Sequence, residues 1–319
     1  MSGPGLLLPG QGAQDVGMGA DFAAASSAAR ARFEEADEVL GFGLSKLCFE
    51  GPLEELTKTD VAQPAIYVCG MAALAALEEK LGRPLAPSMA AGLSLGEYTA
   101  LAAAGALSFA DGLRLVRLRG AAMQDASDAK PSSMTSVMGG EIEALEKLCA
   151  EVAAESGAIC QVANLNSPGQ TVVSGEIAAL DLFEARAADA GARRAVRLNV
   201  AGAFHSEVMR PAAERLGAAL SETAFQAPTC PVWQNATAAP ETDPDRLRAN
   251  LMAQLTAPVR WEESFRGMAE AAAGAPFLEP APGRVLAGLA RKIARESSVL
   301  SLHEAAALDG VAAELGAAV

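Results

Sequence analysis

The chain has 319 residues, which is long enough to bury a large core and to form more than one domain. It contains 39 acidic and 25 basic residues, for a formal net charge of −14. A general nucleic-acid binder shows a basic footprint and an anionic membrane surface attracts basic segments, so this charge argues against both kinds of partner.

The first part of the chain alternates short apolar runs with longer helical patterns. Residues 5–9, GLLLP, predict a strand, and the patterns at 13–22 and 28–41 predict helices. A longer apolar segment at 64–82 predicts a buried helix. Strands that alternate with helices in this way predict a parallel sheet with both faces covered.

Residues 92–98, GLSLGEY, lie where a predicted apolar strand meets a predicted helix. Ser94 stands between Gly92 and Gly96, which is the spacing of a nucleophile elbow. The glycines allow a tight turn, and a helix that begins there directs its free N–H groups at a bound group. Serine is also a preferred N-cap, so the motif by itself is compatible with either a nucleophile or a cap.

The segment 111–124 predicts a helix with one arginine on its apolar face. At about 100° per residue, Arg114 and Arg117 fall on the polar side, whereas Arg119 falls within the apolar arc. That arc is formed by Leu115, Val116, Leu118, Ala122 and Met123. A buried guanidinium stays protonated and needs an anionic partner, either a structural carboxylate or an anion that arrives with a substrate.

Residues 130–199 change character and predict a second, smaller domain. Strand and helix patterns follow one another there in the order β-α-β-β-α-β, which is the ferredoxin-like unit. Their bounds are 134–139, 141–157, 159–166, 170–175, 176–191 and 193–200. We therefore expect an α/β fold in which a large hydrolase-like domain with a parallel sheet, residues 1–129 and 200–319, carries this unit as an insertion. The active site would lie in the cleft between them.

The chain has two histidines, so the candidates for a base that activates Ser94 are few. His205 follows a predicted strand on a loop, a place from which side chains reach into clefts, although it could merely cap the next helix beside Ser206. His303 precedes Glu304 at an exposed position at the start of a predicted C-terminal helix. Because histidine is the usual general base for a serine, His205 is the favoured partner.

The cysteines are five in number, scattered and without a CxxC spacing. With two histidines the chain has too few ligands for a typical zinc cluster, and no metal site is predicted. We expect buried free thiols in a reducing cytoplasm. The N-terminal residues lack the basic region of a signal peptide, and no stretch is expected to span a bilayer, so a cytosolic and soluble protein is predicted.

Several longer motifs occur in the chain. They are LLLPGQGAQDVGMG at 6–19, GLSLGEYTALAAAGAL at 92–107, RLVRLRGAAMQ at 114–124, NLNSPGQTVVSG at 164–175, GAFHSEVM at 202–209 and PGRVLAGL at 282–289. In this order they resemble the malonyl-CoA:acyl-carrier-protein transacylases and the related acyltransferase domains of polyketide synthases. The resemblance extends over nearly the whole chain.

The resemblance implies roles for the matching catalytic positions. Ser94 would be the nucleophile that carries the acyl group, and His205 would be the base. Gln254 falls where the family has a residue that helps to orient the histidine. The backbone N–H groups of Gln11 and Leu95 would form the oxyanion hole. No acidic third member is needed, in contrast to the serine-protease triad.

The resemblance also implies the substrates and their contacts. Arg119 would hold the malonyl carboxylate, and Phe204, beside the base, would narrow the pocket against an α-methyl branch. The acyl group would pass from malonyl-CoA to the phosphopantetheine thiol of a holo acyl carrier protein, with no bound cofactor, in fatty acid or polyketide synthesis. The chain departs from the family pattern at Leu93, where a histidine is usual.

Two other functions remain open from the residues alone. A serine thioesterase or hydrolase would use Ser94 and His205 with water as the acceptor. A non-catalytic α/β binding module would keep Ser94 only as a cap. Arg119 distinguishes the hydrolase from the transferase, because a simple esterase has no need of a buried cation in its acyl pocket.

The segment 283–295, GRVLAGLARKIAR, is the densest basic stretch of this acidic chain. Beyond residue 200 the patterns predict helices and one strand, at 275–282, which precedes this stretch. Arg291 and Arg295 are predicted to share a helix face, since they are four residues apart. That face is either a docking patch for an acidic carrier protein or an ordinary solvated surface.

Overall fold

The computed structural model describes residues 3–317, which form two β-sheets and the helices around them. The strands are β1 Gly5–Leu8, β2 Met89–Gly92, β3 Ser132–Gly139, β4 Cys160–Ser167, β5 Gln170–Glu176, β6 Ala192–Arg197, β7 Val232–Trp233, β8 Pro240–Glu241, β9 Phe277–Pro280 and β10 Val299–Leu302. The α-helices are α1 Ala20–Ala25, α2 Ser27–Leu40, α3 Leu44–Glu50, α4 Leu53–Leu56, α5 Thr59–Leu81, α6 Gly96–Ala103, α7 Phe109–Ala129, α8 Ile142–Ser156, α9 Ile177–Arg186, α10 Arg210–Glu222, α11 Pro244–Gln254, α12 Trp261–Ala272, α13 Val285–Ile293 and α14 Leu308–Ala317. Short 3₁₀ helices lie at Ala187–Ala190, Glu207–Met209 and Ala305–Ala307.

The larger sheet has six strands in the order β10-β9-β1-β2-β7-β8. Its neighbouring strands are parallel except β7 and β8, which form an antiparallel pair at one edge. Along β1, Leu6 and Leu8 belong to one apolar cluster and Leu7 to another, so both faces of the sheet are covered. The predicted α/β fold with a parallel sheet is confirmed, and β2 at its centre leads directly to Ser94.

The smaller sheet has four antiparallel strands in the order β4-β5-β3-β6. Helix α8 connects β3 to β4 and α9 connects β5 to β6, which confirms the predicted β-α-β-β-α-β order. This sheet has its own apolar cluster, which includes Val137 and Phe183. The segment before α12 joins it to the larger part, since the Val259 N–H donates to the Ala163 carbonyl at 2.8 Å and the Leu165 N–H donates to Val259 at 2.9 Å.

The prediction of a helix at 13–22 is wrong for most of that segment. Residues 11–12 and 16–19 are turns, and α1 begins only at Ala20. Gly17 and Gly19 adopt φ angles of 97° and 77°, in the left-handed region that a right-handed helix excludes. The apolar spacing of this segment therefore does not reflect a helix, and Gln11 lies on an open turn after β1.

The part of the chain beyond residue 200 contains four strands within the described residues, not only the one predicted at 275–282. Strand β9 is the predicted one, whereas β7 and β8 have two residues each and are too short to produce an alternating pattern. Strand β10 was not predicted, and the C-terminal helix was expected to begin at about His303. As a result His303 follows a strand, and α14 begins only at Leu308.

Three other predicted bounds differ from the structure. The long buried helix predicted from residue 64 begins at Thr59 and contains Pro64. Strand β6 ends at Arg197 and not at residue 200. Helix α13 ends at Ile293, so Arg295 lies outside it and does not share a helix face with Arg291. The prediction of a two-arginine helix face is therefore wrong, although both side chains belong to exposed residues.

Helix α5 is long and apolar enough to cross a membrane, judged by length and composition, and it is the one such helix among the residues described. The prediction that no stretch meets this test is therefore wrong. Within its apolar window 83% of the residues are buried inside the protein, and the helix packs against α2 and α7. An all-round apolar character is typical of a helix in the core of a large protein.

Candidate active site

Ser94 lies on a sharp turn between β2 and α6 and has a positive φ angle of 55°. A Cβ atom at Gly92 would come within 1.9 Å of the Gly96 backbone, and one at Gly96 within 2.1 Å of the Leu8 carbonyl oxygen. Both glycines of the motif are therefore required because the backbone of neighbouring segments passes so close. The turn has the strand-to-helix context of a nucleophile elbow.

The side chains of Ser94 and His205 are in contact although 111 residues separate them in the sequence. The Ser94 Oγ atom lies 2.7 Å from His205 Nε2, and His205 Nδ1 lies 2.8 Å from the main-chain carbonyl oxygen of Gln254. A carbonyl oxygen can only accept a hydrogen bond, so Nδ1 carries the ring proton. The lone pair of Nε2 then faces the serine hydroxyl, which is the orientation of a general base.

His205 is buried, and its pKa is lowered to about 4. Burial is the largest cause, because it disfavours the charged ring, and the positive charge of Arg119 acts in the same direction. The hydrogen bond to the Gln254 carbonyl opposes both effects. The imidazole is therefore neutral at pH 7 and able to accept a proton.

Arg119 is 1% exposed, on the apolar face of α7 where the helical spacing predicted it. Its Nη1 donates to Gln63 Oε1 at 2.7 Å, and its Nη2 donates to Ser94 Oγ and to Gln254 Oε1, each at 3.0 Å. The Nε–H has no acceptor within the described chain. These acceptors are all neutral, so the buried cation contacts the nucleophile without forming an ion pair.

Gln254, the last residue of α11, joins the other members of the site. Its backbone carbonyl contacts His205, and its side-chain oxygen accepts from Arg119. Its Nε2 donates to the Ser94 carbonyl at 3.0 Å and to Glu97 Oε2 at 2.9 Å. Gln254, which was predicted to orient the histidine, thus lies beside His205, and its main-chain carbonyl makes the contact with the ring.

The backbone N–H groups of Gln11 and Leu95 were predicted to form an oxyanion hole. Within residues 3–317 neither group donates to a protein acceptor. Leu95 directly follows Ser94, and Gln11 lines the same cleft from the turn after β1. Neither N–H is therefore used by another group of the described chain.

The site opens into a cleft of about 610 Å³ that is lined by strands of the smaller sheet and by turns that follow strands of the larger one. Ser94, His205 and Phe204 line it together, and Leu93 lines it as well. Polar side chains from the smaller sheet, such as Asn164, also border the cleft. His303 is not among the lining residues, and its Nε2 lies 3.5 Å from Glu304 Oε1.

Sequence reasoning missed Gln63, Glu97 and Asn235, which are all buried at the site. Asn235 accepts from the Ser94 N–H through Oδ1 at 2.6 Å and donates to the Gly92 carbonyl at 2.7 Å. Glu97 could have been found by the helical spacing that revealed Arg119, since its neighbours three and four residues away are mostly apolar. Asn235 follows a two-residue strand and has no such signal.

The sequence predicted buried free thiols and no metal site. Among the residues that the structure describes, no group of three or more His, Cys, Asp or Glu side chains is placed to hold a metal ion. The five cysteines are free and buried, as expected. Burial raises the pKa of the Cys230 thiol to about 11 and that of Cys48 to about 12, so these thiols are inert as nucleophiles.

Comparison with known proteins gives consistent matches along almost the whole chain. The malonyl CoA-acyl carrier protein transacylase of Bacillus subtilis (strain 168) is 41% identical over 304 residues, which cover 95% of this chain and 94% of that protein. The protein of the same name from Escherichia coli (strain K12) is 40% identical over 304 residues, which cover 95% of this chain and 96% of that protein.

Solved structures give the same result. The acyl-carrier-protein-S-malonyltransferase of Bartonella henselae has a TM-score of 0.91 and 39% identity, and the match covers 98% of this chain and 99% of that one. A malonyl-transacylase in complex with a type II PKS acyl-carrier protein has a TM-score of 0.92 and 39% identity, and the match covers 98% of this chain and 100% of that one. The family model described as the acyl transferase domain matches residues 6–306. The chain therefore belongs to the acyl transferase domain family.

Proposed function

We propose that this protein transfers the malonyl group of malonyl-CoA to the phosphopantetheine thiol of an acyl carrier protein through an acyl-serine intermediate. The observation that carries the proposal is the buried Arg119, whose Nη2 lies 3.0 Å from Ser94 Oγ and which forms no ion pair with a carboxylate of the described residues. A malonyl thioester bound at Ser94 brings a carboxylate to this cation. The names of the relatives, all malonyl transacylases, support the same substrates.

The first half-reaction loads the serine. Ser94 Oγ forms a bond to the thioester carbonyl carbon while His205 Nε2 takes the hydroxyl proton. The resulting oxyanion accepts hydrogen bonds from the N–H groups of Gln11 and Leu95, each worth about a hundred- to a thousand-fold in rate. The carbon–sulfur bond then breaks, and the departing CoA thiolate receives the proton from His205.

The second half-reaction runs the same steps with a different thiol. The phosphopantetheine thiol gives its proton to His205 and attacks the malonyl ester of Ser94. The tetrahedral intermediate collapses to a new thioester, and Ser94 Oγ regains the proton. One acyl-enzyme shared by two thiol substrates predicts ping-pong kinetics.

Arg119 changes partners during this cycle. In the free enzyme its Nη2 donates to Ser94 Oγ, and its Nε has no acceptor among residues 3–317. A malonyl carboxylate can take two parallel N–H donors from the planar guanidinium, a stronger pairing than any neutral acceptor provides. A serine hydrolase would have no use for this cation, and none of the named relatives is a hydrolase.

We propose that residues 130–199 form a small inserted domain and that residues 1–129 and 200–319 form the catalytic domain. A cleft lined by residues of both ranges, Ser94 from one and Val172 from the other, supports this division. We place the enzyme in the cytoplasm, because its five cysteines are free and buried, as is usual in a reducing compartment. It acts there on holo acyl carrier protein without a bound cofactor.

Intact-mass measurement tests the proposal. Incubation with malonyl-CoA should add one malonyl group to the chain, and holo acyl carrier protein should then remove it and gain the same mass. Ser94→Ala should remain folded and acquire no malonyl group. Loss of the malonyl group to water at the same rate with and without carrier protein would contradict transfer and favour the hydrolase.

A further inference from the structure

Glu97 is a buried carboxylate beside Ser94 that the proposed chemical steps do not use. It lies in the first turn of α6 and has no exposed surface. Its Oε2 atom accepts hydrogen bonds from the Asn235 backbone N–H at 2.8 Å and from Gln254 Nε2 at 2.9 Å. Its Oε1 atom has no partner in the described residues. A single carboxylate oxygen thus joins α6 to two segments that lie 138 and 157 residues further along the chain.

Both partners of that oxygen hold the backbone of the nucleophile. Asn235 accepts from the Ser94 N–H at 2.6 Å, and Gln254 donates to the Ser94 carbonyl at 3.0 Å. The positive φ of Ser94 is costly for a residue with a Cβ, by about 1–3 kcal/mol, and persists only where surrounding contacts impose it. Asn235 and Gln254 provide two of those contacts, one on each side of the serine.

Gln254 extends the same connection to the other reacting groups. Its carbonyl oxygen holds His205 Nδ1, and its side-chain oxygen accepts from Arg119 Nη2. A shift of the end of α11 would therefore displace the base and the cation together with the nucleophile. Glu97 is the residue that ties this end of α11 to the Asn235 loop.

We propose that Glu97 is a positioning residue for acyl transfer. Its Oε2 atom joins Asn235 to Gln254, and this link holds Ser94 and His205 in their reactive arrangement. The inference rests on the proposed function. The competing role is structural, since an acid in the first turn stabilises a helix through its charge. The two roles differ in what they need: positioning needs an acceptor oxygen, whereas the helix effect needs the negative charge.

Substitutions of Glu97 in the full-length chain separate these roles. Glu97→Gln keeps an acceptor oxygen at the Oε2 position and loses the charge, and its amide nitrogen takes the Oε1 position, which has no partner. Glu97→Met fills similar space without an acceptor, and Glu97→Ala provides a second variant of that kind if the first does not fold. Thermal unfolding establishes that each variant is folded at the assay temperature.

Two rates are measured. The second-order rate constant for Ser94 modification by a fluorophosphonate reports the nucleophile and the base without needing a carboxylate at Arg119. Loading by malonyl-CoA gives kcat and KM. Glu97→Met should lower the fluorophosphonate rate constant and kcat by about 10- to 100-fold, as expected for a displacement of up to about 1 Å, with a much smaller change in KM. Glu97→Gln should retain most of both rates.

Glu279 provides a matched control, because it is also a fully buried carboxylate that accepts two backbone N–H groups, those of Leu286 and Ala287. Glu279→Ala should leave the fluorophosphonate rate unchanged. Unaltered rates in Glu97→Met, or equal losses in Glu97→Met and Glu97→Gln, would overturn the inference. A wild-type chain that reacts with the fluorophosphonate but never loads malonyl would contradict the proposed function, while the fluorophosphonate comparison would still decide the role of Glu97.

Discussion

Arg119→Ala should remove the preference of this protein for malonyl over acetyl groups. In the free enzyme the guanidinium donates to neutral oxygens of Gln63, Ser94 and Gln254 at 2.7 to 3.0 Å, and its Nε–H is unpaired in the part of the chain that the structure describes. A malonyl carboxylate would complete an ion pair with this buried cation. An acetyl group brings no charge and gains nothing from it, so the substitution should affect the two substrates unequally.

The burial of Arg119, which is 1% exposed, gives the size of the effect. Removing one partner of a buried ion pair costs about 3–5 kcal/mol, because the other charge is left uncompensated. Since about 1.4 kcal/mol is tenfold in rate, kcat/KM for malonyl-CoA should fall about 10²- to 10⁴-fold relative to acetyl-CoA. Arg119→Lys should recover only part of this, because an ammonium group supplies the charge without the planar fork.

The assay compares kcat/KM for malonyl-CoA and acetyl-CoA with one holo carrier protein. The quantity to compare is the ratio of the two kcat/KM values, because Arg119 also contacts Ser94 Oγ and its loss should slow the reaction of both substrates. Arg114→Ala is the matched control: it lies on the same helix with a side chain 61% exposed, and its ion pair with Asp111 is of the surface kind that is worth little. A malonyl preference that survives Arg119→Ala would refute the reasoning, and the carboxylate would have to bind elsewhere.

His205→Ala should slow loading by malonyl-CoA by about 10²- to 10⁴-fold, the range for a lost general base. His303→Ala should leave the loading rate nearly unchanged. Similar effects of the two substitutions would contradict the assignment of His205 as the base. Because burial and Arg119 lower the pKa of His205 to about 4, kcat/KM for malonyl-CoA should stay level as the pH falls from about 7 to 5 and decline through about 4, when the base becomes protonated. A decline centred near the ordinary histidine pKa would show that the ring is more solvated than the structure indicates. Charge reversal at the exposed Arg291 and Arg295 should raise the KM for an acidic carrier protein at low salt and leave that for malonyl-CoA unchanged; an unaltered carrier KM would show that the carrier docks elsewhere.

Local patterns predicted the features that depend on only one strand or helix. Glycines two residues on either side of Ser94 indicated the tight turn, and the structure gives their steric reason in the approach of the Leu8 and Gly96 backbones. Helical spacing indicated that Arg119 is buried, because the face of an amphipathic helix that turns inward is encoded by the residues of that helix alone. The order β-α-β-β-α-β was predictable for the same reason.

What the sequence by itself determined was therefore the burial and the chemistry of residues whose own strand or helix shows the pattern, such as Ser94 and Arg119. The tertiary structure decided which of them meet. Asn235 reaches the Ser94 N–H across 141 positions, and the Gln254 carbonyl holds His205 across 49. Periodicity also failed at three other features. It did not reveal two-residue strands such as β7, and it predicted a helix where Gly17 forms a turn. It did not show that α5, a core helix, is as apolar as a membrane span. A hydrogen bond between distant segments depends on how sheets and helices pack, and periodicity within one element contains no information about that packing.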